Sequence, residues 1–155
     1  MSLLRIALVI TALTFASVTA SAQAAQCKGI AFLWSHVYHS NRLEVKKQCA
    51  AVTGVIVKSL REPDGDLHVR VKLDSQFTQL LNDANRSAQG GNLVVEPICD
   101  HDPTQTDAIA SCTTFHSTIP HYPAGTHVVV VGSYVLDNEH GWMEIHPVIR
   151  ITAMQ

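Results

Sequence analysis

Apolar and polar residues alternate with period two over most of the chain beyond residue 52, the pattern of half-buried strands. Val52 to Leu60 is β-branched and apolar, and it runs into Glu62-Pro63-Asp64-Gly65-Asp66, where Pro and the Asp-Gly pair supply hairpin turn chemistry. The return strand, Leu67 to Leu73, places Leu67, Val69, Val71 and Leu73 on one face and Asp66, His68, Arg70 and Lys72 on the other. This predicts one core face and one wet face. Between Asp74 and Gly90 the period becomes helical: Phe77, Leu80, Leu81 and Ala84 recur at i, i+3, i+4, i+7 behind a Ser75 or Asp74 cap, predicting a helix over 75–88 that Gly90-Gly91 stops.

A third strand, Leu93 to Glu96, runs into Pro97 and Cys99. The stretch from Asp100 to Pro123 is polar and Pro-rich, with one short helix predicted over 104–112. Thr126 to Leu136 is strongly β, a turn follows at 137–141, and a last strand spans Trp142 to Ile151. There Met143, Ile145, Pro147, Ile149 and Ile151 alternate against Trp142, Glu144, His146, Val148 and Arg150, with Pro147 marking an edge or a bulge. Residues 27–42 have no clear period, and Phe32, Leu33, Trp34, Val37 and Tyr38 suggest a short helix over one barrel end. Five strands in this order predict a mainly β fold, a five-stranded OB-like barrel with an extra helix between strands 2 and 3. Gly54, in the middle of the long first strand, suits a barrel bend.

Composition adds a compartment. Met1 to Ala24 reads as a secretory signal: Arg5, an apolar run from Ile6 to about Phe15, then small residues up to Ala22-Gln23-Ala24. The apolar run is too short for a membrane span, and Gln26 before Cys27 disfavours lipidation. Cleavage after residue 24 of 155 leaves 131 residues as a single OB-like domain over 25–155, exported to the periplasm or medium. Losing Arg5 turns 11 basic residues into 10, against 13 acidic, a formal charge of −3. Cys27, Cys49, Cys99 and Cys112 are an even set that suits an oxidising compartment. Of the three pairings, Cys27 with Cys49 and Cys99 with Cys112 each close a moderate loop beside a predicted strand. No two cysteines stand at zinc-finger spacing.

The segments Val52-Thr53-Gly54, Glu62 to His68, Asn92 to Glu96 and His140-Gly141-Trp142-Met143-Glu144-Ile145-His146-Pro147 resemble a group of exported bacterial proteins of unassigned role with an OB-like barrel. The resemblance spans nearly all of the mature chain. It implies a fold and a shared set of polar positions, and brings no activity with it.

The residues point to the same positions. Asp66 and His68 lie on the polar face of the second strand, Glu96 at the end of the third, and Glu144 and His146 on the polar face of the fifth. In the order one-two-three-five-four these strands are neighbours, and facing side chains lie about 4.5–5.5 Å apart. Asp64 and His140 reach the rim from turns. Trp142 either stands exposed beside the patch, where a base or sugar ring would stack, or packs under residues 27–42.

Three readings fit such a cluster. One is a set of cross-strand hydrogen bonds that fixes register. Another is a metal site, with His68, Glu144, His146 and His140 as ligands and zinc as the best-fitting ion. The last is acid–base catalysis by a histidine. The leading expectation is an exported binding protein whose small ligand or divalent metal sits on Asp64, Asp66, His68, Glu96, Trp142, Glu144 and His146. The rival is a metal-dependent hydrolase, acting on a phosphoester, that uses the same residues. Single-stranded nucleic acid or oligosaccharide binding is a minority reading. The mature chain is acidic and its basic residues are scattered, whereas nucleic acid calls for a basic groove. The other six histidines mostly fall in loops or at strand starts, where solvation or local capping accounts for them.

Overall fold

The sharing of β1 (Leu43–Arg61), the longest strand, sets the architecture. Its first part pairs antiparallel with β4 (His127–Asp137), from Leu43 opposite Asp137 to Val55 opposite His127. Its last part pairs antiparallel with β2 (Leu67–Leu73), from Gly54 opposite Leu73 to Arg61 opposite Leu67. β2 pairs with β3 (Leu93–Val95), β3 runs parallel to β5 (Met143–Ala153), and β5 returns antiparallel to β4. The strands close a ring of hydrogen bonds in the order β1-β2-β3-β5-β4, the mainly β, OB-like arrangement that the alternation predicts. The computed structural model describes residues 26–155; the predicted signal over 1–24 lies outside the described residues.

Two glycines allow the closure. At Gly54, where β1 passes from β4 to β2, an added Cβ would collide with the carbonyl oxygen of Lys72. At Gly132 of β4 it would collide with that of Pro147. Side chains at these crossings would push the strands apart, so glycine is required by close approach.

The ring encloses one apolar core. Val52, Ile56, Leu67, Val69, Val71, Leu93, Val95, Val128, Val130, Ile145, Val148 and Ile151 are among its members. A second, smaller cluster forms on the outside of the sheet. There α1 (Ile30–Trp34) and the segment after β3 bring Leu33, Trp34 and Phe115 onto Val37, Leu43, Ile98 and Val135. The Cys27–Cys49 and Cys99–Cys112 disulfides, with Cα separations of 5.7 and 5.3 Å, tie these outer segments down in the expected pairing. Among the described residues no helix is long and apolar enough to cross a membrane.

Several expectations are corrected. The helix predicted over 75–88 is a 3-10 turn (Ser75–Leu80) followed by α2 (Asp83–Ala88). The break falls at Asn82, which caps α2 through a reciprocal pair of bonds with Asn85. Neither Asp74 nor Ser75 supplies the cap: the Asp74 side chain makes no capping bond. The segment 104–112 is a 3-10 turn (Thr106–Ala108) running into α3 (Ile109–Cys112). β1 begins nine residues before Val52, because its polar first part pairs with β4 despite weak alternation. In β5 the alternation breaks at Pro147: register slips opposite Gly132, so Val148 rather than Pro147 enters the inner core. Residues 27–42 form a short helix as expected, but it packs on the flank of the barrel rather than over an end. Above all, the face of β2 predicted to be wet is dry at its first two residues.

Candidate functional site

The dry patch follows from strand geometry. Leu67 and Val69 of β2, Val95 of β3, and Met143 and Ile145 of β5 point into the barrel. Their alternates His68, Glu96, Glu144 and His146 therefore point outward, onto three adjacent strands. Register sets them side by side. The Leu67 N–H donates to Pro97 O at 3.0 Å, the Glu96 N–H to Ile145 O at 3.0 Å, and the Val148 N–H to Glu96 O at 3.2 Å. Glu96 is thus stitched into the sheet between the two histidines.

What dries this face is the segment after β3. The Cys99 N–H donates to Asp66 Oδ1 at 2.9 Å. Four further N–H groups, from Asp100, His101, Thr104 and Gln105, donate to the carbonyls of Gly65 and Pro63 on the β1–β2 turn. Cys99 holds a left-handed conformation (φ 51°) here, fixed by its disulfide and by the Asp66 carboxyl. Exposure falls to 3% for Asp66, 6% for His68 and Glu96, 1% for Glu144 and 0% for His146.

Within this dry volume Glu96 is the hub. Its Oε1 lies 2.9 Å from His68 Nδ1 and its Oε2 lies 2.8 Å from His146 Nδ1. Glu144 Oε2 stands 3.2 Å from the same His146 nitrogen, and Glu144 Oε1 accepts from Trp142 Nε1 at 2.5 Å. The far nitrogen of His68 faces Gln89 Oε1 at 3.2 Å. A neutral His68 ring is satisfied with the Gln89 amide turned over; as the imidazolium, His68 donates to Glu96 Oε1 and to Gln89 Oε1. Burial opposes that charge, but the bond to Glu96 and the Glu96 charge raise the His68 pKa above its ordinary value. His146 is raised well above its own: its bonds to Glu144 and Glu96 outweigh burial. Burial also pushes Glu96 up, yet the bonds and charges of His146 and His68 hold it well below the usual carboxylate range. Glu144 is raised by burial and by the Glu96 charge. Asp66 is pushed up to about 8, by burial first, against the pull of His146.

One contact stands out. His146 Nε2 lies 3.6 Å from Asp66 Oδ2; both atoms are buried and neither has a hydrogen-bond partner among the described residues. Asp66, Glu96 and His146 offer ligand atoms within 4.8 Å of one another, and this buried trio could hold a metal ion. His146 Nδ1 donating to Glu144 at 3.2 Å leaves Nε2 as the atom facing Asp66, the orientation in which a carboxylate behind a histidine supports ligation.

A cleft of about 370 Å³ opens against the patch. His68 and Glu96 form part of its wall, so the network is reached from one side. Arg42, Arg70, Gln89, His140 and Trp142 also line it, with Leu60, Glu62, Pro63, Asp64 and Gln105. Of the residues singled out from sequence, Asp66, His68, Glu96, Glu144 and His146 come together in one network. Asp64, His140 and Trp142 stand at the cleft. His140 does not join the trio: its Nδ1 lies 2.9 Å from Asp137 Oδ2, and its ring stacks on Trp142 at 4.4 Å and 4°. Trp142 is half-buried at the cleft wall, edge-on to His68 at 6.2 Å.

Sequence reasoning missed Gln89, Glu62 and the placement of Arg42. Arg42 arrives from the turn before β1, and Gln89 ends a short helix without periodic signal. Of the other histidines, three bond to segments distant in sequence rather than capping locally: His101 Nε2 to Glu62 O (2.9 Å), His36 Nδ1 to Ser111 O (2.8 Å) and His127 Nε2 to Asp74.

No family model, no curated protein and no solved structure matches the chain.

Proposed function

We propose that the protein is an exported, OB-like binding protein whose buried Asp66, Glu96 and His146 take one divalent cation, zinc being the ion this donor set fits best. The observation that carries the reading is the pair His146 Nε2 and Asp66 Oδ2, buried 3.6 Å apart without partners, in surroundings where Glu96, Glu144, His68 and Gln89 satisfy one another. An orphaned buried donor or acceptor costs about 1–3 kcal/mol, and a cation between these two atoms satisfies both at once. Glu144, 3.2 Å behind Nδ1, then orients the histidine, and Glu96 supplies the third ligand oxygen. The two disulfides suit the oxidising compartment that the signal segment implies, and the resemblance to exported bacterial proteins belongs to the same reading. The hydrolase alternative needs a coordination position open to substrate, and burial of all three residues favours a closed binding site over it.

The test is metal analysis of the mature protein after reconstitution with zinc and gel filtration at neutral pH. One equivalent is expected in the wild type, with loss in Asp66→Asn and His146→Gln. Less than a tenth of an equivalent in a folded wild-type protein overturns the proposal. So does full retention by Asp66→Asn, which keeps the Oδ1 bond to Cys99 and is expected to fold.

A further inference from the structure

The cleft has a charge balance that the metal reading does not use. Its acidic groups are largely engaged: both Glu96 oxygens face histidines, and Asp64 Oδ1 accepts the Asp66 N–H at 3.1 Å. Glu62 lies 3.9 Å from His68 Nδ1. The arginines are engaged less. Arg42 gives Nε to Asp137 Oδ2 at 3.1 Å, and its two terminal nitrogens make no hydrogen bond among the described residues. Arg70, outward on β2 beyond His68, is half-buried, its Nε is wholly buried without a partner, and no carboxylate among the described residues is in ion-pair range of it. No carboxylate among the described residues neutralises this half-buried guanidinium, and an anion in the cleft that Arg70 lines would do so.

We infer that the cleft is a binding site for a small organic oxyanion, a carboxylate or a phosphate monoester, whose head group is gripped by Arg70 and Arg42 and whose body lies against Trp142, Leu60 and Pro63. The fork of a guanidinium matches two oxygens of such a head group and gives shorter, stronger bonds than a neutral donor. At ~30 Å³ per water-sized group, a cleft of about 370 Å³ takes roughly a dozen heavy atoms, the size of an aromatic acid or its phosphate. The stacked His140 and Trp142 rings supply a flat apolar wall for the body. Two cations and an apolar wall lining one cleft select a compact amphiphilic anion. A polymer backbone would need a continuous basic track.

The inference stands apart from the metal proposal, and its test is run on chelator-treated, metal-free protein. Benzoate and phenyl phosphate are titrated while the Trp142 Nε1 and Arg70 Nε resonances are followed by nitrogen-edited NMR, with benzyl alcohol as the neutral analogue. Saturable shifts at both nitrogens are expected with a millimolar or tighter dissociation constant for at least one anion, and the tighter of the two identifies the head group. Removing a charged hydrogen-bonding partner weakens binding about tenfold or more, so Arg70→Gln should show that loss, Arg70→Lys an intermediate one, and added salt should weaken the wild type. Absence of saturable shifts with either anion overturns the inference. It is also overturned if Arg70→Gln, folded by circular dichroism, binds as the wild type does, if benzyl alcohol binds as well as the anions, or if binding appears only after zinc is restored.

Discussion

The substitution Asp66→Asn isolates the energetic consequence of burying this carboxyl. Asp66 has its ordinary value of 3.8 raised to about 8, chiefly by burial. A carboxyl shifted upward holds its proton more tightly folded than unfolded. The stability it contributes is complete below about pH 4 and is lost as pH rises through about 8, with a limiting slope of about 1.4 kcal/mol per pH unit. Between pH 5 and pH 8 the metal-free wild type therefore loses up to about 4 kcal/mol through this one group. The substituted amide does not ionise, and its oxygen still accepts the Cys99 N–H that Asp66 Oδ1 accepts now. The variant should lack this part of the pH dependence. His68, also raised, loses its contribution as pH rises above its ordinary 6.5 in both proteins, and it cancels in the difference. Urea unfolding of the two proteins in chelator, disulfides intact, at pH 5, 6, 7 and 8, reads that difference directly. Asp66→Asn should gain on the wild type with each unit of pH. A difference constant from pH 5 to pH 8 would show that Asp66 ionises as freely as an exposed carboxyl, and the reasoning from burial would be wrong.

Zinc binding should release protons, because Asp66 and His146, both raised, must give up theirs to ligate; affinity should then climb as pH approaches 8, read by calorimetry in buffers of different ionisation enthalpy. Binding without proton release would contradict the assigned protonation. Glu96→Ala removes the anion between two buried histidines, and breaking such a buried pair costs about 3–5 kcal/mol. The loss should shrink as pH rises through the raised values of the two histidines, and chemical denaturation at a series of pH values from about 6 upward checks it. Asn85→Ala orphans Met143 N–H, Met143 C=O and Asn92 C=O, which the buried amide now satisfies at 2.9, 2.9 and 3.1 Å. At about 1–3 kcal/mol per orphaned group the melting temperature should fall sharply, and an unchanged one would refute the role given to Asn85.

The strands were legible because each carries an alternation that only one face of a sheet satisfies. Leu67, Val69 and Val71 against His68 and Arg70 fixed both the strand and the facing of its polar set. The convergence of Asp66, His68, Glu96, Glu144 and His146 followed from that facing together with strand order. Their burial did not. The cover comes from residues 97–117, which have no period; its position is set by N–H groups donated to Gly65 and Pro63 and by the Cys99–Cys112 bridge, interactions invisible in a residue pattern. Pattern also failed where it was satisfied by chance. Phe77, Leu80 and Leu81 have helical spacing, yet Asn82 takes the cap position and splits the segment. In β5 the slip opposite Gly132 moves Val148 inward, and nothing in the β5 sequence other than Pro147 announces it.

Glu96 is held three ways at once: its amide and carbonyl are bonds of the β3–β5 seam, and its two carboxylate oxygens are the anchors of His68 and His146. The consequence is kinetic. The histidines cannot turn away from the carboxylate without losing its bonds, and the carboxylate's backbone cannot shift without unzipping β3 from β5, so opening the network is coupled to opening the barrel. Its amide proton should be among the slowest in the molecule to exchange with deuterium. An ion seated beside it would meet ligands held in place by the seam, so the site would keep its shape when the ion leaves through the cleft that Glu96 walls.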